Sequence, residues 1–241
     1  MTACPHLGVW TCRRMVMSTT NLVVTMKILA IVSQKGGSGK TTLAVHLATA
    51  AAAAGYNVAV IDLDPQATAT KWGDRREADT PEVVSGQAVR LPALINPAQA
   101  NGADLLVLDT APNADQIASL AARAADLVLI PCRPAKFDLE AIETTLLLVQ
   151  TAHKPAYVVL NAVPPKGSIV EEATAGLVSS GAKVAPHQLT QRAAFTHAVI
   201  DGRTAQEFEP RGKAAREVDA LYVWMCGLVD MPTSGRKGKV A

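Results

Sequence analysis

Apolar residues along the chain gather into short, nearly unbroken runs separated by longer stretches of helical character. Residues 28–32, 58–61, 105–108, 127–130 and 157–160 are rich in Leu, Ile and Val and carry almost no polar side chain. Strands of this kind are buried on both faces, as in a parallel sheet covered by helices; a strand with one wet face would alternate. The segments between them read as helices. One starts at Gly39 or Lys40 and runs to Ala54, where Gly55 stops it, and others cover 114–124, 138–152, 169–179 and 211–228. The alternation predicts an α/β fold, a mostly parallel twisted sheet flanked by helices on both faces. Between Trp72 and Gly102, three prolines and three glycines predict an irregular connection with a short strand near Val89, and residues 163–167 read as a loop.

The 241 residues suit one such domain, expected over 26–230. Hydrophobic residues make up 49% and aromatics only 4%, so the core must be built from Ala, Val, Leu and Ile, and a disordered chain is excluded. Residues 1–25 show no helical or alternating period and read as a poorly ordered leader or a mis-assigned start; 231–241 read as a flexible basic tail. Cys4, Cys12, Cys132 and Cys226 form no CxxC pair and have no His at metal spacing, which favours a reducing, cytoplasmic setting over a disulfide framework or zinc site. No run approaches the about 20 apolar residues that span a bilayer. Lys and Arg number 23 against 21 Asp and Glu, a net charge of +2, so attraction to a polyanion must be local. The first acid is Asp62, with Arg13, Arg14, Lys27, Lys35 and Lys40 all before it.

Lys35 and Lys40 belong to the string Lys35-Gly36-Gly37-Ser38-Gly39-Lys40-Thr41-Thr42, between the first strand and the first helix. Glycines let the backbone curl so that successive N–H groups face one anion, and the helix N-terminus adds its positive end. Gly36 through Thr42 are therefore candidate phosphate-binding residues of a P-loop NTPase, with Lys40 on the terminal phosphates and the Thr41 hydroxyl on Mg²⁺. The plain alternative is a glycine turn. At Gln34 the chain departs from the GxxxxGK[ST] pattern, which has glycine there.

Two acidic strings complete the site. Asp62 and Asp64 lie at the end of the second strand, where a period of two would send both carboxylates to one face, one toward the metal and the other toward an attacking water. Asp109 ends the strand 105–108 and is a second metal-side candidate, with a helix cap as its alternative. Asn161 ends a later strand, where Asn also starts turns.

The KGGxGKTT loop resembles the deviant Walker A loop of the ParA/MinD class, and the DxDPQ and DxxP strings around Asp64 and Asp109 strengthen the likeness to short ParA partition ATPases. That resemblance implies a catalytic Lys35 that reaches the partner's phosphates in an ATP-bound homodimer, a close approach at Gly37, a hydrolytic Asp64, a metal-side Asp62, and an Asn161 that reads adenine. It implies ATP and Mg²⁺ as ligands and a nucleoid-associated, cytoplasmic ATPase. Such an ATPase binds DNA non-specifically and segregates plasmid or chromosome DNA with a ParB-like partner that stimulates hydrolysis. The same cycle is used by relatives that position a protein cargo, a carboxysome or a chemoreceptor cluster, through an adaptor.

Arg192, Arg203, Arg211, Lys213 and Arg216 are candidate DNA contacts, set against the reading of each as ordinary solvated surface. A membrane-cycling relative would need an amphipathic C-terminal helix, and the Pro and Gly of 230–235 interrupt one, so no membrane partner is expected.

Overall fold

The computed structural model describes residues 25–234. The leader, with Arg13 and Arg14, and most of the basic tail lie outside these residues. Seven strands form one sheet in the order β3-β2-β4-β1-β5-β6-β7, every neighbouring pair parallel. They are β1 (Lys27–Ile31), β2 (Val58–Asp62), β3 (Glu82–Ser85), β4 (Leu105–Asp109), β5 (Leu127–Cys132), β6 (Ala156–Val163) and β7 (Leu189–Thr190). The α/β architecture expected from the apolar runs is the one observed.

Because alternate side chains point to opposite faces, each central strand feeds two cores. On one face Leu29, Ile31, Val60, Val107 and Leu129 pack under α1 (Lys40–Ala53), α2 (Thr68–Gly73) and α9 (Lys213–Leu228). On the other, Ala30, Ile61, Leu106, Leu108, Val128 and Ile130 pack under α3 (Leu91–Ala100), α4 (Asp115–Ala124), α5 (Lys136–Gln150) and α6 (Ile169–Ser179). Each buried Leu or Ile contributes about 1.5–3 kcal/mol. Helix α1 has no polar stripe: residues 43 through 51 are all buried, because the sheet covers one side and α2, α8 (Ala205–Phe208) and α9 the other.

Strand β1 sits centrally, between β4 and β5, and the chain leaves it in one direction toward β2 and later returns past it to β5. Ligands of open α/β sheets bind beyond the strand C-termini at such a reversal. Register brings Ile31, Asp62 and Asp109 level at that edge.

The connection 72–102 is more regular than expected. The strand there is β3, at 82–85, and Val89 lies in a turn of 3₁₀ helix over Ala88–Arg90 that leads into α3. β3 is an edge strand with only Val83 partly sheltered, so no apolar run marked it. Pro92 is tolerated because it falls in the first helical turn, and Pro97 removes one donor on an exposed stretch of helix. Strand β6 also extends to Val163, so the loop begins at Pro164. Short α7 (Ala193–Ala198) and α8 were not expected at all.

Candidate functional site

The loop after β1 lies at the reversal and enters α1 through Gly39. Gly37 and Gly39 hold φ values of 72° and 95°, a left-handed conformation open to glycine at little cost. A Cβ on Gly37 would meet nothing within 4 Å, whereas one on Gly39 would collide with the Asn161 amide. Asn161 braces the loop from beneath: its Nδ2 donates to the Ser38 carbonyl at 2.7 Å. The side chain expected to contact adenine thus has one of its two amide N–H donors on the loop backbone.

Lys40 is 7% exposed and its ammonium donates to the Lys35 carbonyl at 3.2 Å. Burial pulls its pKa down, opposed by the carboxylates of Asp109 and Asp64. The Thr41 hydroxyl donates to Asp109 Oδ2 at 2.7 Å, and Asp109 is fully buried. Burial pushes the Asp109 carboxyl up to about 7, with the Thr41 hydrogen bond working against that and the charge of Asp62 adding to it. Asp109 Oδ1 and Ser38 Oγ are buried and lack a hydrogen-bond partner. Unpartnered buried oxygens, a desolvated lysine and left-handed glycines form a set that a Mg²⁺–polyphosphate group satisfies: oxygen donors suit the hard cation and cationic and N–H groups suit the phosphates. Lys35, Gly36 and Gly37 are exposed at the apex, and Thr42 is half-buried beyond Thr41.

Asp62 and Asp64 are not placed by strand alternation. β2 ends at Asp62, and Asp64 lies in the following turn. The Asp62 carboxylate holds that turn together: Oδ1 accepts from the Asp64 N–H at 3.1 Å, and Oδ2 accepts from the N–H and the hydroxyl of Thr70 at 2.9 and 3.0 Å. Both oxygens of this carboxylate, expected on the metal side, accept hydrogen bonds that fix Asp64 and the start of α2. Asp64 is half-buried, and a groove of about 850 Å³ opens beside it along Leu63, Pro65, Ala88, Leu94 and Ile117.

The five basic candidates lie on the C-terminal segment, away from the loop in sequence, and differ among themselves. Arg192, at the start of α7, pairs with Glu217 at 2.5 Å, and Glu217 also accepts from the N–H and hydroxyl of Thr190, so this glutamate ties β7 and the start of α7 to α9. Arg203 forks onto Asp201 at the surface. Arg211, Lys213 and Arg216 are exposed around the first turn of α9, which has no acidic residue, and Arg216 donates to the Arg211 carbonyl at 2.7 Å.

Sequence reasoning passed over a second network. His46 of α1 is fully buried between the Thr42 carbonyl at 2.7 Å and the Ala205 N–H at 3.0 Å. Ala205 follows Thr204, whose N–H and hydroxyl both donate to Glu207, and Glu207 in turn pairs with Arg76 at 2.7 Å. The Thr-x-x-Glu spacing of 204–207 is a capping-box signal readable in sequence; its partners His46 and Arg76 are tertiary.

A family model described as the CobQ/CobB/MinD/ParA nucleotide binding domain matches residues 29–205. A "maintenance of carboxysome distribution protein A" from Gloeobacter kilaueensis is 34% identical over 203 residues, 81% of this chain and 90% of the relative. A "protein ParA" from Rhizobium radiobacter is 29% identical over 182 residues, 71% of this chain and 81% of the relative. Among solved structures, an ATP complex of McdA from Cyanothece matches with a TM-score of 0.70 at 19% identity, over 86% of this chain and 98% of that one. MinD with Mg-ADP from Pyrococcus horikoshii matches with a TM-score of 0.67 at 18% identity, over 89% and 100% of the two chains. These two structural matches bear on the fold.

Proposed function

Because the chain belongs to the CobQ/CobB/MinD/ParA nucleotide-binding family, we propose that it is a Mg²⁺-dependent ATPase that dimerises on ATP, binds DNA without sequence preference and so segregates a replicon. The observation that carries the reading is the pair of partnerless buried oxygens, Ser38 Oγ and Asp109 Oδ1, beside the desolvated Lys40. Thr41 and Asp109 would hold Mg²⁺, which when bound supplies the positive charge that neutralises the phosphates. Lys40 and the glycine loop bind and orient the triphosphate. Asp64, fixed by Asp62, orients the attacking water. Lys35 and Gly37 stand exposed with open space at Gly37, which supports a second subunit approaching there.

For DNA, Lys213, Arg211 and Arg216 at the opening of α9 are the better candidates, since Arg192 and Arg203 are already paired with Glu217 and Asp201. A patch of so few charges gains useful affinity when a dimer doubles it, which makes the grip on DNA depend on ATP. A ParB-like partner would stimulate hydrolysis and release it. A second reading keeps the cycle and changes the cargo to a protein assembly held through an adaptor; the 34%-identical relative named for carboxysome distribution favours it.

The test is co-sedimentation with DNA in ATP against ADP over a range of salt. Pelleting in ATP alone, weakening as salt rises, supports the reading. Equal pelleting in both nucleotides, or none in either, refutes it.

A further inference from the structure

We propose that Gln34 is a positioning residue that clamps the segment between Asp109 and α4 onto the phosphate loop; its effect on hydrolysis rests on the ATPase reading, while the clamp does not. Gln34 stands where the common loop has glycine, and it engages three partners with three different groups. Its N–H donates to Thr145 Oγ1 of α5 at 3.2 Å. Its carbonyl accepts from the Asn113 N–H at 3.0 Å. Its side-chain Nε2 donates to Asp115 Oδ1, in the first turn of α4, at 2.5 Å.

The clamped segment is short and held from both ends. Thr110 Oγ1 donates to the Ile31 carbonyl of β1 at 2.8 Å, so the segment is tied to β1 at 110 and to Gln34 at 113 and 115. Between the ties lie only Ala111 and Pro112, and Pro112 Cβ comes within 4.0 Å of where a Cβ on Gly36 would sit. Asn113 holds a φ of 49°, a left-handed conformation that Asn adopts more readily than other non-glycine residues, and its N–H is held there by the Gln34 carbonyl. Asp109 immediately precedes this segment. The Gln34 arm thus sets how closely Pro112 lies to the phosphate loop and limits how far the backbone after Asp109 can swing.

Glycine at position 34 would retain the two backbone bonds and lose the third. The amide also matches Asp115 in kind, since a neutral donor satisfies the carboxylate while leaving its charge at the N-terminus of α4, where a negative charge is favourable.

The test uses the full chain. Gln34→Ala removes only the side-chain arm. Gln34→Glu sets two carboxylates against each other, and adding Asp115→Asn reverses donor and acceptor and restores the bond. Amide exchange over 110–118 is followed with and without ATP, beside kcat and KM. Both single Gln34 variants should exchange about tenfold faster there, the low end of what one hydrogen bond to a charged group contributes, as suits an exposed pair. Each should also lose about tenfold in kcat with KM within about twofold, and the double variant should recover both. Wild-type exchange in Gln34→Ala, or a double variant no better than Gln34→Glu, overturns the clamp. Faster exchange with unchanged kcat overturns its part in hydrolysis. A wild-type chain that hydrolyses no ATP but shows the exchange pattern refutes the ATPase reading and upholds the clamp.

Discussion

Acid should loosen this protein through His46, and by an amount that the structure bounds. The Ala205 N–H must donate to Nε2, so the proton of the neutral ring sits on Nδ1 and donates to the Thr42 carbonyl. Burial lowers the pKa from 6.5 to about 4, against the pull of the Thr42 carbonyl and the charge of Glu207. Phe195, edge-on at 5.0 Å, adds no charge to the surroundings, and neither does Gln206, which donates to the His46 carbonyl. Between pH 6.5 and 4 the unfolded chain takes up a proton that the folded chain refuses, so stability falls as pH falls through that window and levels off below it. The full difference is about 3 kcal/mol, of which about 2 kcal/mol is lost by pH 5.

Asp109 acts in the opposite sense. Its carboxyl, raised to about 7, burdens the fold above that pH and is relieved as pH falls toward 3.8. The whole-protein profile is therefore a difference of opposed effects, and a variant is needed to isolate one of them. His46→Gln keeps a donor and an acceptor and does not titrate. Urea unfolding of both proteins from pH 7 to pH 5 should show the wild type losing about 2 kcal/mol more than the variant. Parallel profiles would refute the buried neutral histidine.

Four further outcomes follow from the same geometry. Lys40→Ala should weaken ATP binding by about thirty- to a hundredfold in calorimetry, since a charged hydrogen-bond donor to the phosphates is lost; retained affinity would undo the phosphate-loop assignment. Asp64→Ala should lower kcat by about a hundredfold while an ATP- and DNA-bound dimer accumulates, read by light scattering and filter binding. Lys213→Glu should reduce DNA affinity and its salt dependence at an unchanged melting temperature, whereas Arg192→Glu should also lower the melting temperature because it faces Glu217. Gly202→Ala should cost about 2–3 kcal/mol in a thermal melt, because at φ 77° its Cβ would lie 2.6 Å from the backbone of Arg75 and Arg76.

The parts of the fold legible in sequence were those whose physics is local. Doubly buried strands had to read as apolar runs, and α1 had to stop at Gly55, which holds a φ of 92°. β3 left no such run because its edge position exposes most of it, and α3 was masked by prolines that its first turn and exposed surface absorb. In the site, the phosphate loop was legible because its backbone conformation needs glycines at fixed spacing. Alternation predicts Asp62 and Asp64 on one face of a strand, whereas Asp64 lies in a turn held by Asx-type bonds that leave no periodic trace. Asn161 under Ser38, His46 against Ala205 and Glu217 on Arg192 are pairings across 123, 159 and 25 positions, and no pattern within one segment encodes them.

Helix α1 is enclosed on every side along 43–51, and this makes it an internal ruler. A nucleotide-driven displacement of the helix would have to work against this close packing, whereas the loop at its N-terminal end is exposed at 35–37. Its far end lies about 21 Å away along the axis and carries the exposed Ala53. A spectroscopic reporter attached there is expected to hold its place when nucleotide is added, so that a change in distance to a second probe would read movement of the second site.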